Sequence, residues 1–129
     1  MHLHLDGTLP PARIQRLARE QNYTPLAKKT LKEIARLAVV SSPLPSLQAV
    51  LDVFDVIYPL IKRAKALETM AYELCKKAAS QNILYFETRF APSLCETPGF
   101  TAQQAVEAAL AGLKKGEKDF GVASGVIVC

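Results

Sequence analysis

Apolar residues recur along the chain with two periods, one typical of strands and one typical of helices. Leu3 and Leu5 alternate with polar neighbours up to Gly7, which predicts a short strand followed by a turn. Residues 82–92 are rich in aromatic and β-branched side chains and predict a second strand. Residues 122–129 predict a third strand, and its apolar run is typical of a strand buried on both faces.

Between these strands, apolar residues recur at the three- and four-residue spacing of helices. The pattern predicts helices over residues 12–21, from residue 30 to before residue 41, from residue 46 to residue 58, and over residues 60–80 and 101–120. Thr30 and Ser46 are good N-cap residues, and Glu33 completes a capping box with Thr30. Strand, helices, strand, helix and strand in this order predict an α/β protein with parallel strands in one domain, residues 1–129.

Composition narrows the class of protein. The chain has 129 residues, of which 50% are hydrophobic and 22% charged, so intrinsic disorder is excluded. A net charge of +4 is a mild basic excess, and we expect no nucleic-acid partner. Because no apolar run approaches ~18 residues and no basic leader precedes an apolar core, we expect no membrane span or secretory signal, and a cytoplasmic location.

The cysteines and the charged residues of the second strand are expected to have structural roles rather than catalytic or metal-binding ones. Cys75, Cys95 and Cys129 are widely spaced without a C-x-x-C pattern, so we expect reduced packing residues. Glu87 and Arg89 share one strand face, which predicts an ion pair. The opposite face is expected to be nearly apolar and consists of Leu84, Phe86, Thr88 and Phe90.

The densest group of chemical side chains lies at the N-terminus. Both histidines of the chain, His2 and His4, stand two residues apart on the predicted first strand, which aims both rings at one face. Imidazole nitrogens suit zinc, and Asp6 could serve as a further ligand or as an acceptor for substrate. A catalytic zinc needs more than two protein ligands, so an incidental histidine pair is the alternative at this point.

The segment His2-Leu3-His4-Leu5-Asp6-Gly7-Thr8-Leu9 resembles the first-strand signature of the adenosine deaminase family, within the metal-dependent amidohydrolase superfamily. Further blocks resemble that family in the same order, namely Phe54-Asp55, Tyr58-Pro59, residues 85–92 and residues 116–121. The resemblance covers nearly the whole chain. It implies the N-terminal portion of a (β/α)8 TIM barrel, with about three strands and intervening helices, too short at 129 residues to close a barrel of ~250.

The resemblance also implies roles for the N-terminal residues. His2 and His4 would be zinc ligands, with Zn2+ as the cofactor. The aspartate that matches Asp6 accepts a hydrogen bond from the ribose 5′-hydroxyl, and adenine and methyl-AMP deaminases carry Glu and Asn there, so Asp6 favours a free nucleoside. Gly7 would let the backbone turn tightly at the mouth of the site.

A helix further along the chain resembles the apolar gate that the family places over the purine. The gate residues would be Val50, Leu51 and Phe54. Their spacing is equally typical of an ordinary helix face packed into a core, and the two interpretations stay open.

The implied reaction is hydrolytic removal of the exocyclic amine from adenosine or deoxyadenosine, with inosine and ammonia as products in the case of adenosine. Zinc activates a water for attack on C6 of the purine while a carboxylic acid protonates the ring nitrogen. Residues 1–129 contain no third histidine and no H-x-x-E segment, so we expect the catalytic groups beyond Cys129. The chain would then be a fragment that is inactive alone and needs the remainder of the barrel.

Two other interpretations compete with this one. A non-catalytic interaction module derived from the family would fold alone and be indifferent to zinc. An adenine, AMP or methyl-AMP deaminase would share the fold and the chemistry, and Asp6 argues against these substrates.

Overall fold

Three parallel strands form one sheet in the order β1-β2-β3. The structure is a computed structural model that describes residues 2–129, with the backbone alone described for His2. The strands are β1 (His2–His4), β2 (Tyr85–Phe90) and β3 (Ala123–Val128). Parallel neighbours joined through helices, in chain order, confirm the predicted α/β class, and this arrangement is the one expected for the opening of a TIM barrel.

Seven α-helices connect the strands within residues 2–129. They are α1 (Pro11–Glu20), α2 (Thr24–Ala27), α3 (Leu31–Ala38), α4 (Leu47–Asp55), α5 (Tyr58–Ile61), α6 (Ala64–Ser80) and α7 (Ala102–Phe120). Short 3-10 turns lie at Asp6–Thr8 and Pro92–Cys95. No helix in this part of the chain has the length and apolar content to cross a membrane.

The predicted caps are present. The Thr30 hydroxyl accepts from the backbone N–H of Glu33, whose carboxylate accepts from the backbone N–H of Thr30, so α3 begins with a capping box. Thr101 and Gln104 form a second box at α7, and the Ser46 hydroxyl accepts from a backbone N–H at α4. These bonds satisfy helix N–H groups that would otherwise lack a partner.

Contacts within the chain define two compact units. Of the described residues, the sheet unit comprises residues 2–8 and Ile61–Cys129, and the helical unit comprises Leu9–Leu60. Phe86 and Phe90 of β2 belong to the core of the sheet unit, together with the contacting sides of α6 and α7. The core of the helical unit is smaller and consists of Ile14, Leu17, Ala18, Leu26, Ile34, Ile57, Leu60 and Leu9.

Two glycines allow α6 and α7 to approach closely. A Cβ at Gly112 would lie under 3.0 Å from the backbone oxygen of Glu68, and a Cβ at Gly116 under 3.0 Å from the side chain of Cys75. Real Cβ atoms essentially never show such contacts. Any larger residue at either position therefore forces the helices apart.

Helix boundaries differ from the prediction in three places, and two of them lie at prolines. The predicted helix over residues 60–80 is divided, because Arg63 is extended and serves as the N-cap of α6. Pro59 lies inside α5, so the helix predicted to run to residue 58 ends earlier, at Asp55, and Pro25 lies in the first turn of α2, a short helix that was not predicted. The first turn tolerates proline because its N–H would have no intrahelical partner there.

Burial of the strands also differs from the prediction. Leu84 was expected on the apolar face of the second strand, but it precedes β2 and is 80% exposed. Residues 125–127 are half-buried and Val128 is 56% exposed, so β3 is not buried on both faces. Within the described residues β3 is an edge strand that pairs with β2 alone, so no further strand shields its side chains on that side.

Candidate metal and substrate site

The candidate zinc ligands lie in β1. His4 is the last residue of the strand, and 54% of its side chain is exposed. The side chain of His2 lies outside the described part of the chain, so its role as a ligand stays a prediction. In the register of the sheet, His4 lies opposite Arg89, and the backbone of His2 lies opposite Glu87.

Asp6 follows β1 at a rigid turn. The backbone N–H of Leu5 donates to the carbonyl of Arg89 at 2.8 Å, which extends the pairing of β1 by one residue. The backbone N–H and the hydroxyl of Thr8 both donate to the carbonyl of Leu5, at 3.1 and 2.7 Å. Between these anchors Asp6 is buried, and its Oδ1 lies 3.9 Å from Nδ1 of His4.

Gly7 lies in the 3-10 turn Asp6–Thr8 and is exposed. A tight turn was predicted here, and the structure has one. Among the described glycines, Gly121 is the one with positive φ, at 68°, so the turn at Gly7 does not use the left-handed region. The proposed role of Gly7 in binding substrate stays a prediction.

The expected ion pair between Glu87 and Arg89 does not form within the described residues. The Tyr85 hydroxyl donates instead to Oε1 of Glu87 at 3.1 Å, and this bond raises the pKa of Tyr85. Gly125 of β3 makes room for the pair, since a Cβ there would lie 3.3 Å from the tyrosine oxygen. Tyr85 stands two residues from Glu87 on the same strand face, which was the available signal for this contact.

Arg89 is half-buried beside His4 in the sheet. Its Nε is buried and has no hydrogen-bond partner among the described residues. A buried guanidinium nitrogen without a partner is costly, so this face of the sheet is suited to accept further polar groups.

The predicted purine gate lies on α4 in the helical unit. Val50 and Phe54 are half-buried, and Leu51 is 46% exposed. No residue of α4 is fully buried, although part of its apolar face is half-buried. Both interpretations of the spacing therefore stay open. Asp6 and Gly7 belong to the sheet unit, and the role of the gate stays a prediction.

The described donors fit zinc only in part. Among the side chains that the structure describes, residues 3–129, no group of three or more His, Cys, Asp and Glu is arranged to hold a metal ion. Burial, and next the Asp6 charge, raise the pKa of Cys95 to about 11, and burial with the Glu117 charge raises that of Cys75 to about 11. Protonated thiols are poor ligands, so imidazole is the donor that suits zinc here.

Two of the three cysteines are packing residues, as predicted. All are free thiols, and Cys75 and Cys95 are buried packing residues. Cys129 is exposed, because it follows β3 at the uncovered edge of the sheet.

Comparison with known proteins gives one consistent result. The sequence profile of the adenosine deaminase family matches residues 1–129. An adenosine deaminase from Streptococcus mutans is 39% identical over 129 residues, which is 100% of this chain and 36% of the relative. The chain thus spans about a third of the length of the curated relatives that it matches, and it is the N-terminal portion of the family sequence.

Solved structures agree on the fold. An adenine deaminase from Arthrobacter aurescens superposes with a TM-score of 0.78 at 25% identity, over 98% of this chain and 37% of that one. An amidohydrolase from Burkholderia ambifaria, solved with bound zinc, superposes with a TM-score of 0.76 at 23% identity, over 98% and 34%. Both are amidohydrolases of the TIM-barrel class, so the three strands are part of such a barrel.

Proposed function

The chain belongs to the adenosine deaminase family, and from that premise we propose that it supplies the zinc-binding N-terminal portion of an adenosine deaminase. The reaction is hydrolysis of adenosine or deoxyadenosine at C6, with release of ammonia, as a step of purine metabolism in the cytoplasm. One observation carries the proposal: the H-x-H pair stands in β1, a parallel strand of a TIM-barrel sheet, directly before the buried Asp6. Such barrels place their active sites at the carboxyl ends of the strands.

His2 and His4 would hold the zinc ion. When bound, zinc lowers the pKa of a coordinated water toward ~7 and so supplies the nucleophile. His4 fits this role because its ring is more than half exposed at the end of its strand, where an ion can reach it. Further ligands, the general acid and the groups that orient the water must come from the remainder of the barrel.

The substrate contacts follow from the chemistry of a nucleoside, which has an apolar base and a hydroxylated sugar. The apolar side chains of Val50, Leu51 and Phe54, of which Leu51 is the most exposed, suit the purine, and a carboxylate suits a hydroxyl donor. Asp6 with the turn at Gly7 would accept from the ribose 5′-hydroxyl. A carboxylate there repels a 5′-phosphate, which favours adenosine over AMP.

The direct test is a chimera in which residues 1–129 replace the matching segment of the Streptococcus mutans enzyme. We expect the purified chimera to deaminate adenosine and deoxyadenosine in preference to adenine, AMP and N6-methyl-AMP. His4→Ala should abolish turnover, whereas the matched control Asp119→Asn, on the exposed surface of α7, should leave it unchanged. A folded chimera without activity on adenosine would refute the proposal. A preference for adenine or AMP would refute adenosine as the substrate.

A second candidate is an interaction module without catalysis. It is favoured by the exposed apolar side chains of the helical unit, among them Leu37, Leu47 and Leu51. Such a module would unfold at one temperature with or without zinc. A rise in the melting temperature of the 129-residue chain with added zinc, lost in His4→Ala, would instead support the deaminase.

A further inference from the structure

The Asp6 carboxylate lies against one particular nitrogen of the His4 ring. Oδ1 is 3.9 Å from Nδ1, and the Asp6 side chain is 7% exposed while that of His4 is 54% exposed. A neutral imidazole carries one N–H, and the bond made by one nitrogen decides which nitrogen is left to bind a metal. We propose that Asp6 is a positioning residue that holds the Nδ1 proton of His4 and so presents Nε2 to zinc. This rests on the proposed function, and it gives Asp6 a task besides binding ribose.

The backbone explains why Asp6 can hold the ring in place. The pairing of Leu5 with Arg89 and the two bonds from Thr8 to the Leu5 carbonyl fix the chain on both sides of Asp6. A separation of 3.9 Å exceeds a hydrogen bond of about 2.7–3.2 Å, so the ring must approach by roughly 1 Å. Because the His4 side chain is 54% exposed and the Asp6 side chain 7% exposed, the ring is the partner that we expect to move.

Three described side chains near this contact do not compete for the His4 proton. Glu87, a second carboxylate on this side of the sheet, is engaged by the Tyr85 hydroxyl. Burial, and next the charge of Asp6, raise the pKa of the Cys95 thiol to about 11, so Cys95 stays neutral and does not compete for the proton. Arg89, opposite His4 in the register, is a donor and has no acceptor nitrogen to offer the ring.

The test reads the proton on the ring directly. Long-range 15N–1H NMR of the 129-residue chain without metal distinguishes the Nδ1–H tautomer of the neutral ring from the Nε2–H tautomer. The spectra are recorded at a pH about two units above the ordinary histidine pKa of ~6.5. A His2→Gln background leaves His4 as the one histidine of the chain, which removes ambiguity of assignment. We expect the Nδ1–H form, and we expect Asp6→Asn to shift the ring toward the Nε2–H form.

Asp6→Glu keeps the carboxylate and should retain the Nδ1–H form, and Asp119→Asn, an equal charge change on α7, should not alter the ring. An Nε2–H ring in the unsubstituted chain overturns the inference, and this holds even if Asp6→Asn fails to fold. In the chimera, Asp6→Asn should weaken zinc binding by about 10–100-fold in competition with a chelator. Unchanged zinc affinity would overturn the inference. An Nδ1–H ring in a chimera that binds no zinc would refute the proposed function instead.

Discussion

The two units of the chain use similar apolar patterns with different results. In the sheet unit, α6 buries seven residues, which are Ala66, Leu67, Met70, Ala71, Leu74, Cys75 and Ala78. In the helical unit, α4 has an equally regular apolar face and buries none. Small residues let α6 and α7 interlock, whereas α4 has no such neighbour within its unit. Burial therefore depends on the partner helix as well as on periodicity, and we expect local stability to be concentrated in the sheet unit.

The largest effect is expected for Phe86→Ala. Phe86 is fully buried at the centre of the sheet unit, so its truncation should lower the free energy of unfolding by about 3–5 kcal/mol. Leu84→Ala is the matched control, since Leu84 is 80% exposed two residues earlier, and it should cost under about 0.5 kcal/mol. Urea unfolding of the 129-residue chain measures both. Equal losses would show that β2 does not form the core.

Gly112→Ala should break the close approach of α6 and α7. Its new Cβ would meet the backbone of Glu68, which has no flexible end to move away, so we expect a loss of about 1–3 kcal/mol. Gly99→Ala is the control, because nothing lies within 4 Å of a Cβ at Gly99. Stabilisation by Gly112→Ala, through its better helix propensity, would contradict this account of the helix pair.

Thr30→Ala should remove the capping box of α3 and cost about 1 kcal/mol. The Thr30 hydrogen bonds lower the pKa of Glu33 below its ordinary value. A carboxylate whose pKa is lower in the folded state contributes stability at pH values above its unfolded-state pKa. This contribution is lost as the pH falls through its folded-state pKa. The cost of Thr30→Ala should therefore be smaller in acid than at pH 7. A pH-independent cost in thermal melts would argue that the Glu33 half of the box contributes nothing.

Leu51→Ala should have the smallest effect on stability and a larger one on substrate binding. Leu51 is 46% exposed on α4, so we expect a change under about 0.5 kcal/mol in the isolated chain. In the chimera the same substitution should raise KM for adenosine if α4 covers the purine. A large loss of stability with unchanged KM would mean that α4 is a core helix.

Local signals allowed much of the fold to be predicted. Thr30, Ser46 and Thr101 each begin a helix where the sequence places one, because a cap is decided by neighbours within four residues. The three strands and their parallel order follow from the alternation of strand and helix segments. The short helix around Pro25 was missed and the helix end near Pro59 was wrong, since proline is tolerated in a first turn as well as after a helix.

The details of the site depend on contacts across the sheet, which no local pattern records. Tyr85 and Arg89 both lie two residues from Glu87 on the same strand face, so spacing alone does not choose between them. The structure has the bond to Tyr85, whose hydroxyl lies beside Gly125 of β3, where there is no side chain. The burial of Asp6 and its position beside His4 likewise follow from the turn after β1. The H-x-H spacing therefore predicted the location of the candidate site, whereas the burial and the neighbours of Asp6 depend on the fold.

The zinc content of the chimera tests the central claim most directly. Metal analysis after dialysis should find one zinc per chain in the chimera with His4 and none in His4→Ala, with both proteins folded by circular dichroism. That result would place the metal on this segment of the barrel. Full zinc occupancy in His4→Ala, or none in the folded parent chimera, would contradict the claim that these residues hold the metal of a deaminase.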